Sequence, residues 1–372
     1  MKIVVAVDSF KGSLSSNEIA DIFYEQLKEF DVKKVIVADG GEGTLDAIIL
    51  SSNGRYVNMK SKGPKMEDID ARYGVLNDNK TVVIELAMCA GLTLVNGEKN
   101  PLITTTYGVG EQIKHAIKSG YRQFIIGLGG SATNDGGIGM LQSLGYEFYD
   151  KNGEILTVGG GGKQLIEICK VDEKNTIKEL KDCKFTIASD VKNVLYGKNG
   201  AAYVFARQKG ASDEDIEFLD RGLRNFAKVV KKYNGNDMNK IKGAGAAGGI
   251  GGAFAAFLNS KVESGIELVL EKTNFYEYLD NADFVITGEG KFDSQTFFGK
   301  APIVIAQKAM KKEVATIIVC GINKVSPHIA KEKGIKAIYE IANPKLSLED
   351  NMKYAKKNLI ATIKKIKHDI LI

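Results

Sequence analysis

Short continuous apolar runs recur along the chain at residues 2–7, 33–38, 123–127, 184–189, 284–287 and 314–319. Runs of this kind, with no polar alternation, mark strands of a parallel sheet covered on both faces. Between them the apolar positions switch to a helical period. Ser15 with Glu18 forms a capping box ahead of Ile19, Ile22, Phe23 and Leu27, and Ser212 with Asp215 repeats the spacing before Ile216, Leu219, Leu223 and Phe226. A last helix is predicted from Leu348 to about His368, with Leu348, Met352, Ala355, Leu359, Ile363 and Ile366 on one face and solvated lysines on the other. The chain therefore reads as α/β. One segment differs: Arg72–Leu76 and Thr81–Glu85 flank Asn77-Asp-Asn79 as an antiparallel hairpin, which places the start of a second domain nearby.

Composition narrows the class of protein. A chain of 372 residues with 44% hydrophobic content buries a large core and is expected to split into two domains. The net charge of +5 is small for this length, and the lysines are dispersed, which argues against nucleic acid as partner. No apolar run approaches a membrane span, and the first strand, ending at Asp8, is too short for a signal-peptide core, so a cytoplasmic, small-molecule protein is expected. Cys89, Cys169, Cys183 and Cys320 show no paired spacing, and His115, His328 and His368 stand far apart. Buried, reduced thiols are expected, and neither a histidine metal site nor a Ser-His-Asp triad.

The chemistry gathers in glycine loops and at strand ends. Ile125–Met140 runs from an apolar strand into a loop with glycines at 127, 129, 130, 136, 137 and 139, plus Ser131, Thr133, Asn134 and Asp135. Such a loop lets an anion approach bare N–H groups, and Asp135 adds a candidate magnesium contact. The segment Asp39–Leu45 echoes Asp135–Leu141, each expected to open a helix whose N-terminus favours negative ligands. Further loops are Lys11–Ser15, Gly243–Gly252 (with Gly243, Gly245 and Gly248) and Gly288–Thr296 (with Asp293). Lys11, Lys209 and Lys291 sit in or beside these turns, whereas Lys300 reads as surface charge. Asp8, Asp39, Asp190 and Glu289 all fall at carboxyl ends of strands, the ligand-binding edge of open α/β sheets. Carboxylates there suit Mg²⁺ and a general base. Gly127-x-Gly129-x-x-Ala132, with Asp150 downstream, and Gly243-x-Gly245-x-x-Gly248 match a dinucleotide fingerprint in letters, so a nicotinamide-dependent dehydrogenase of a small hydroxy acid is the rival, with a non-catalytic binding module a third reading.

Asp8–Ser15, Ala38–Thr44, Thr105–Gly108, Gly129–Gly137, Gln208–Ala211, Gly243–Gly249 and Ile286–Thr296 together resemble the motifs of the bacterial glycerate kinases. The resemblance implies ATP-dependent phosphorylation of D-glycerate, with 2-phosphoglycerate the usual product. It also implies two domains: a Rossmann-like parallel-sheet domain from residues 1–65 and 290–372, with a second α/β domain, 66–289, inserted. On this reading Asp8, Ser9, Lys11, Gly129, Gly130, Ser131, Asn134, Asp135, Lys209, Gly243, Gly245, Gly248, Glu289 and Asp293 contact ATP or the acceptor. Asp8, Asp39 and Glu289 hold Mg²⁺. From the residues themselves, and not from the resemblance, Asp190 is the expected base, with Lys11 and Asp39 also catalytic. The chain departs from the family pattern at Asp190-Val-Lys-Asn-Val-Leu195, where Thr and Pro are usual at 192 and 194, and at Ala206-Arg207 in place of Gly-Pro.

Overall fold

The computed structural model describes residues 1–371. The chain forms two compact units, one from Met1–Asp39, Asp46–Ser52 and Ile266 onward, the other from Gly40–Leu45 and Asn53–Gly265.

In the first unit five strands form one wholly parallel sheet. Its order is Ile335–Glu340, Ala315–Cys320, Phe284–Gly288, Lys2–Val7, Asp31–Lys34. The first strand is buried on both faces because successive side chains point to opposite sides. Ile3, Val5 and Val7 pack with Ile19 and Phe23 of helix Ser16–Gln26 and with Leu359 and Ile363 of helix Ala355–Ile366. Val4 and Ala6 pack with Ile266 and Leu270 of helix Gly265–Lys272 and with Ile305 of helix Ala301–Met310. This is a doubly wound arrangement.

The second unit carries a mixed six-stranded sheet. Lys261–Glu263, Lys184–Ala188, Gln123–Gly127 and Thr81–Glu85 run parallel, and Asp68–Val75 and Arg55–Lys62 extend it antiparallel. The predicted hairpin is present, with Gly74 opposite Val83 and Val75 opposite Val82. Helix Asp213–Asn234 starts on the Ser212–Asp215 capping box and ends on left-handed Gly235.

Three expectations need correcting. The main crossings between units fall at 52/53 and 265/266, not at 65/66 and 289/290, with Gly40–Leu45 a further short excursion into the second unit. Arg55–Lys62 pairs along its whole length with the strand before the hairpin, and Phe284–Gly288 pairs with the first strand, so each moves to the other unit. The strand expected at 33–38 is Asp31–Lys34, although Val35 and Val37 stay buried beyond it. The last helix breaks at Tyr354. Leu348 is 64% exposed, while Leu359, Ile363 and Ile366 are fully buried, so only the later part of the apolar stripe faces a core. Arg55–Lys62 and Ile335–Glu340 went unpredicted because polar residues interrupt them.

Candidate active site

Each unit brings part of the candidate set to the carboxyl edge of its parallel strands. In the first unit, Asp8 and Glu289 follow the ends of adjacent strands, where Val7 pairs with Gly288 and the Asp8 N–H donates to the Gly288 carbonyl at 3.0 Å. Ser16 ties this edge together: its Oγ donates to the Val7 carbonyl at 2.6 Å and accepts from the Val37 N–H at 2.9 Å. The Ser9 N–H donates to Asp8 Oδ1 at 2.7 Å. Burial, then the Asp39 charge, with a smaller push from Glu289, drives the Asp8 carboxyl up to about 7 despite the Ser9 bonds. Concentrated negative charge of this kind suits a cation. Lys11 is exposed on the following turn.

Glu289 is satisfied within its own unit. Its Oε1 accepts from Thr296 Oγ1, and its Oε2 from Lys300 Nζ at 2.9 Å. The expected metal role therefore does not fit Glu289, and Lys300 is the partner of a strand-end carboxylate, not idle surface charge. Asp293 also acts on its own loop: it caps Ser294–Phe298 by accepting from the Gln295 N–H at 2.9 Å, and pairs with Lys291 at 2.8 Å. That ion pair, followed by the Gln295 bond, holds its carboxyl below the usual range. Among the described residues no three His, Cys, Asp or Glu side chains converge as a metal-holding group. Magnesium needs only one or two carboxylates when phosphate oxygens complete its shell, and Asp8 with Asp39 meets that requirement.

In the second unit, strand Gln123–Gly127 leads into the long glycine loop, and the structure divides that loop by depth. Gly129 is half-buried, Gly130 is exposed and Ser131 is 9% exposed, whereas Ala132–Met140 are all buried. Asp135 is wholly buried. Its Oδ2 accepts from the Thr106 N–H and Thr106 Oγ1, both at 2.8 Å, and from the Gly139 N–H at 3.3 Å, while Oδ1 accepts from the Gly137 N–H at 3.0 Å. Burial raises its pKa while these bonds lower it, with burial the larger effect. Asp135 therefore braces the loop, its carboxylate engaged by donors of the protein itself. Asn134 is likewise fully buried, and its Oδ1 and Nδ2 find no partner among the described residues.

The other glycines answer to packing. A Cβ on Gly139 would lie 2.1 Å from Thr105 Oγ1, and one on Gly137 2.6 Å from the Ala253 Cβ. On the second loop, a Cβ on Gly245 would meet the Val194 carbonyl at 2.3 Å and one on Gly248 the Thr133 carbonyl at 2.0 Å. Gly243, with φ +82°, sits 2.9 Å from the Val191 carbonyl by the same measure. The loop at 243–249 is thus packed closely against the first loop and against Val191–Val194.

What stays available is the tip. The Gly130 and Ser131 N–H groups donate to no acceptor among the described residues. Lys209 lies beneath them, 2% exposed, donating to Ser131 Oγ at 2.7 Å and to the Thr133 carbonyl at 2.6 Å. Burial pushes its ammonium down to about 7, against the opposing pull of Asp135. Lys209 thus reaches the expected loop from below. Asp190 follows strand Lys184–Ala188 as an exposed side chain on the same sheet edge.

Two features went unread in the sequence. Glu85, fully buried at the end of its strand, accepts from the Gly43 and Leu45 N–H groups, both at 3.1 Å, and anchors the Gly40–Leu45 segment. A carboxylate ending an apolar run was the available signal. That segment in turn touches the long loop, the Gly129 N–H donating to the Gly40 carbonyl at 3.1 Å, and a Cβ on Gly129 would lie 2.1 Å from the Gly41 Cα. The dinucleotide reading loses its geometry. No helix starts until Ile138, six positions beyond Ala132, a short 3₁₀ turn and no strand precedes Gly243, and Asp150 closes a turn by accepting from the Asn152 and Glu154 N–H groups.

The profile of the glycerate kinase family matches residues 3–371. A glycerate kinase of Bacillus cereus is 42% identical over 98% of this chain and 97% of its own length. A glycerate 2-kinase of Escherichia coli is 41% identical, over 98% of both chains. The crystal structure of a protein titled putative glycerate kinase 2, from Salmonella typhimurium LT2, superposes with a TM-score of 0.84 at 38% identity, covering 100% of this chain and 98% of its own.

Proposed function

This chain belongs to the glycerate kinase family, and from that premise we propose that it transfers the γ-phosphoryl group of ATP to D-glycerate, giving 2-phosphoglycerate and ADP. The observation that carries the reading is the loop tip at exposed Gly130 and the adjoining Ser131, whose adjacent backbone N–H groups find no acceptor among the described residues at the ligand-binding edge of a parallel sheet. Phosphoryl transfer relies on such positioning and on charge stabilisation. Asp190 takes the proton of the acceptor hydroxyl, that oxygen bonds to the γ-phosphorus, and the bond from γ-phosphorus to the bridging oxygen breaks as ADP leaves. Lys11 offers a cation to the phosphates or to the acceptor carboxylate. Asp8 and Asp39 would hold Mg²⁺, which when bound neutralises phosphate charge. Transfer to the 2-hydroxyl follows the Escherichia coli relative, named a glycerate 2-kinase.

The test is ADP release with Mg²⁺ and ATP, measured with and without D-glycerate, with the product's regiochemistry read by NMR. Release only when glycerate is present is expected. Failure to turn over would overturn the reading, and 3-phosphoglycerate as product would overturn the regiochemistry alone. Among the described residues no helix is long and apolar enough to cross a membrane.

A further inference from the structure

Lys209 is an unusual place to keep a cation. It belongs to the exposed-looking sequence Arg207-Gln-Lys-Gly210, yet its side chain runs inward until only 2% of the residue is exposed. Removing an ammonium from water costs several kcal/mol unless the interior compensates, so a buried lysine with no surface role needs an explanation. Its two acceptors are neutral, Ser131 Oγ at 2.7 Å and the Thr133 carbonyl at 2.6 Å, and neither forms an ion pair with it. An ammonium can only donate. While Lys209 is charged, the Ser131 oxygen is therefore the acceptor in this contact, and its own proton points elsewhere. Among the described residues nothing accepts that proton, and the Gly130 and Ser131 N–H groups beside it are equally unclaimed.

We propose that Lys209 is a positioning residue: by occupying the Ser131 acceptor site from below, it turns the Ser131 hydroxyl outward. Together with the N–H groups of Gly130 and Ser131, that hydroxyl makes a three-donor seat for an anionic oxygen of a bound substrate. The inference rests on the kinase reading and assigns Lys209 no direct contact with the ligand. Phosphate and carboxylate oxygens share the required chemistry. The seat belongs to ATP if the Michaelis constant for ATP shifts in the variants, and to the acceptor if that for D-glycerate does.

The experiment is a double-mutant cycle on the full-length protein using Ser131→Ala, Ser131→Thr, Lys209→Met and the double variant. Glycerate-dependent ADP release by the unaltered protein is established first, so that failure of the kinase reading is seen separately. Ser131→Ala and Lys209→Met are each expected to lower kcat/KM about 10–100-fold, as loss of one hydrogen bond to a charged group implies. The double variant is expected to be no worse than the weaker single, because both remove the same donor. Ser131→Thr, which keeps the hydroxyl, is expected to retain most activity. Additive losses, or a Ser131→Ala variant with full activity, would overturn the proposal. Should Lys209→Met fail to fold, the contrast between Ser131→Ala and Ser131→Thr still decides it: equal activity in the two sinks the outward hydroxyl.

Discussion

Individual side chains carry the sharpest consequences. Asp8 holds its proton up to about pH 7, whereas an unfolded aspartate loses it near 3.8. Between those values the folded chain binds a proton that the unfolded chain has released, so this site's contribution to stability falls as pH rises through the window and is level above it. Asp8→Asn cannot ionise. Relative to the unaltered protein it is expected to gain stability at about pH 8 compared with about pH 4.5, by on the order of a few kcal/mol at most, in urea unfolding at the two pH values. An identical difference at both would refute the raised pKa. Asp190→Asn keeps the side chain's size but not its basicity, so turnover at saturating D-glycerate is expected to fall about 10²–10⁴-fold, with calorimetric ATP affinity little changed. Near-normal turnover removes Asp190 as base. Asp135 belongs to a different category: its carboxylate accepts from five donors inside the protein. Asp135→Ala leaves them buried and unpaired, and a loss of about 3 kcal/mol or more is expected in chemical denaturation. From sequence, Asp135 and Asp190 look alike, since each is an acid beyond an apolar strand. Burial separates them, and burial depends on partners such as Thr106, 29 positions away from Asp135.

At the level of elements, what could be read in the sequence was whatever local physics controls. Both capping boxes form because the serine and the acid three residues on satisfy backbone donors within one turn. The long apolar strands form where the runs placed them, since each buries both faces. Arg55–Lys62 lacked such a signal: it is a strand because the hairpin beside it offers a ladder of eight paired positions, a tertiary cause. Glycines misled for a similar reason. A glycine that admits an anion and one that admits a neighbouring chain are the same letter, and in the long loop only Gly130 keeps an exposed, left-handed backbone, with φ +72°. Gly130→Val is therefore expected to raise the Michaelis constant for ATP by covering the free N–H groups. It also costs about 1–2 kcal/mol of stability from its left-handed conformation, readable as a lowered urea midpoint. An unchanged constant alongside a lowered midpoint would remove this tip from the nucleotide site.

For the whole molecule, chain order and spatial order part company. The first strand takes its neighbours from residues 31–34 on one side and 284–288 on the other, so the first unit's sheet closes only after the second unit's sequence has been traversed. That was partly foreshadowed by the hairpin's change of strand character, but the crossing points at 52/53 and 265/266 follow from strand pairing that no local pattern encodes. One face of the first unit's sheet depends on the final helix, where Leu359 and Ile363 are fully buried against the same core as Ile3, Val5, Ile19 and Phe23. The second unit's core draws on none of these residues. Leu359→Ala should cost about 2–5 kcal/mol by the cavity it leaves, and that loss should fall on the first unit. In hydrogen exchange, strands Lys2–Val7, Phe284–Gly288 and Ala315–Cys320 are then expected to lose protection while Gln123–Gly127 and Lys184–Ala188 keep theirs, because separate cores open as separate cooperative units. Equal loss in both sets would mean that the two cores unfold as one.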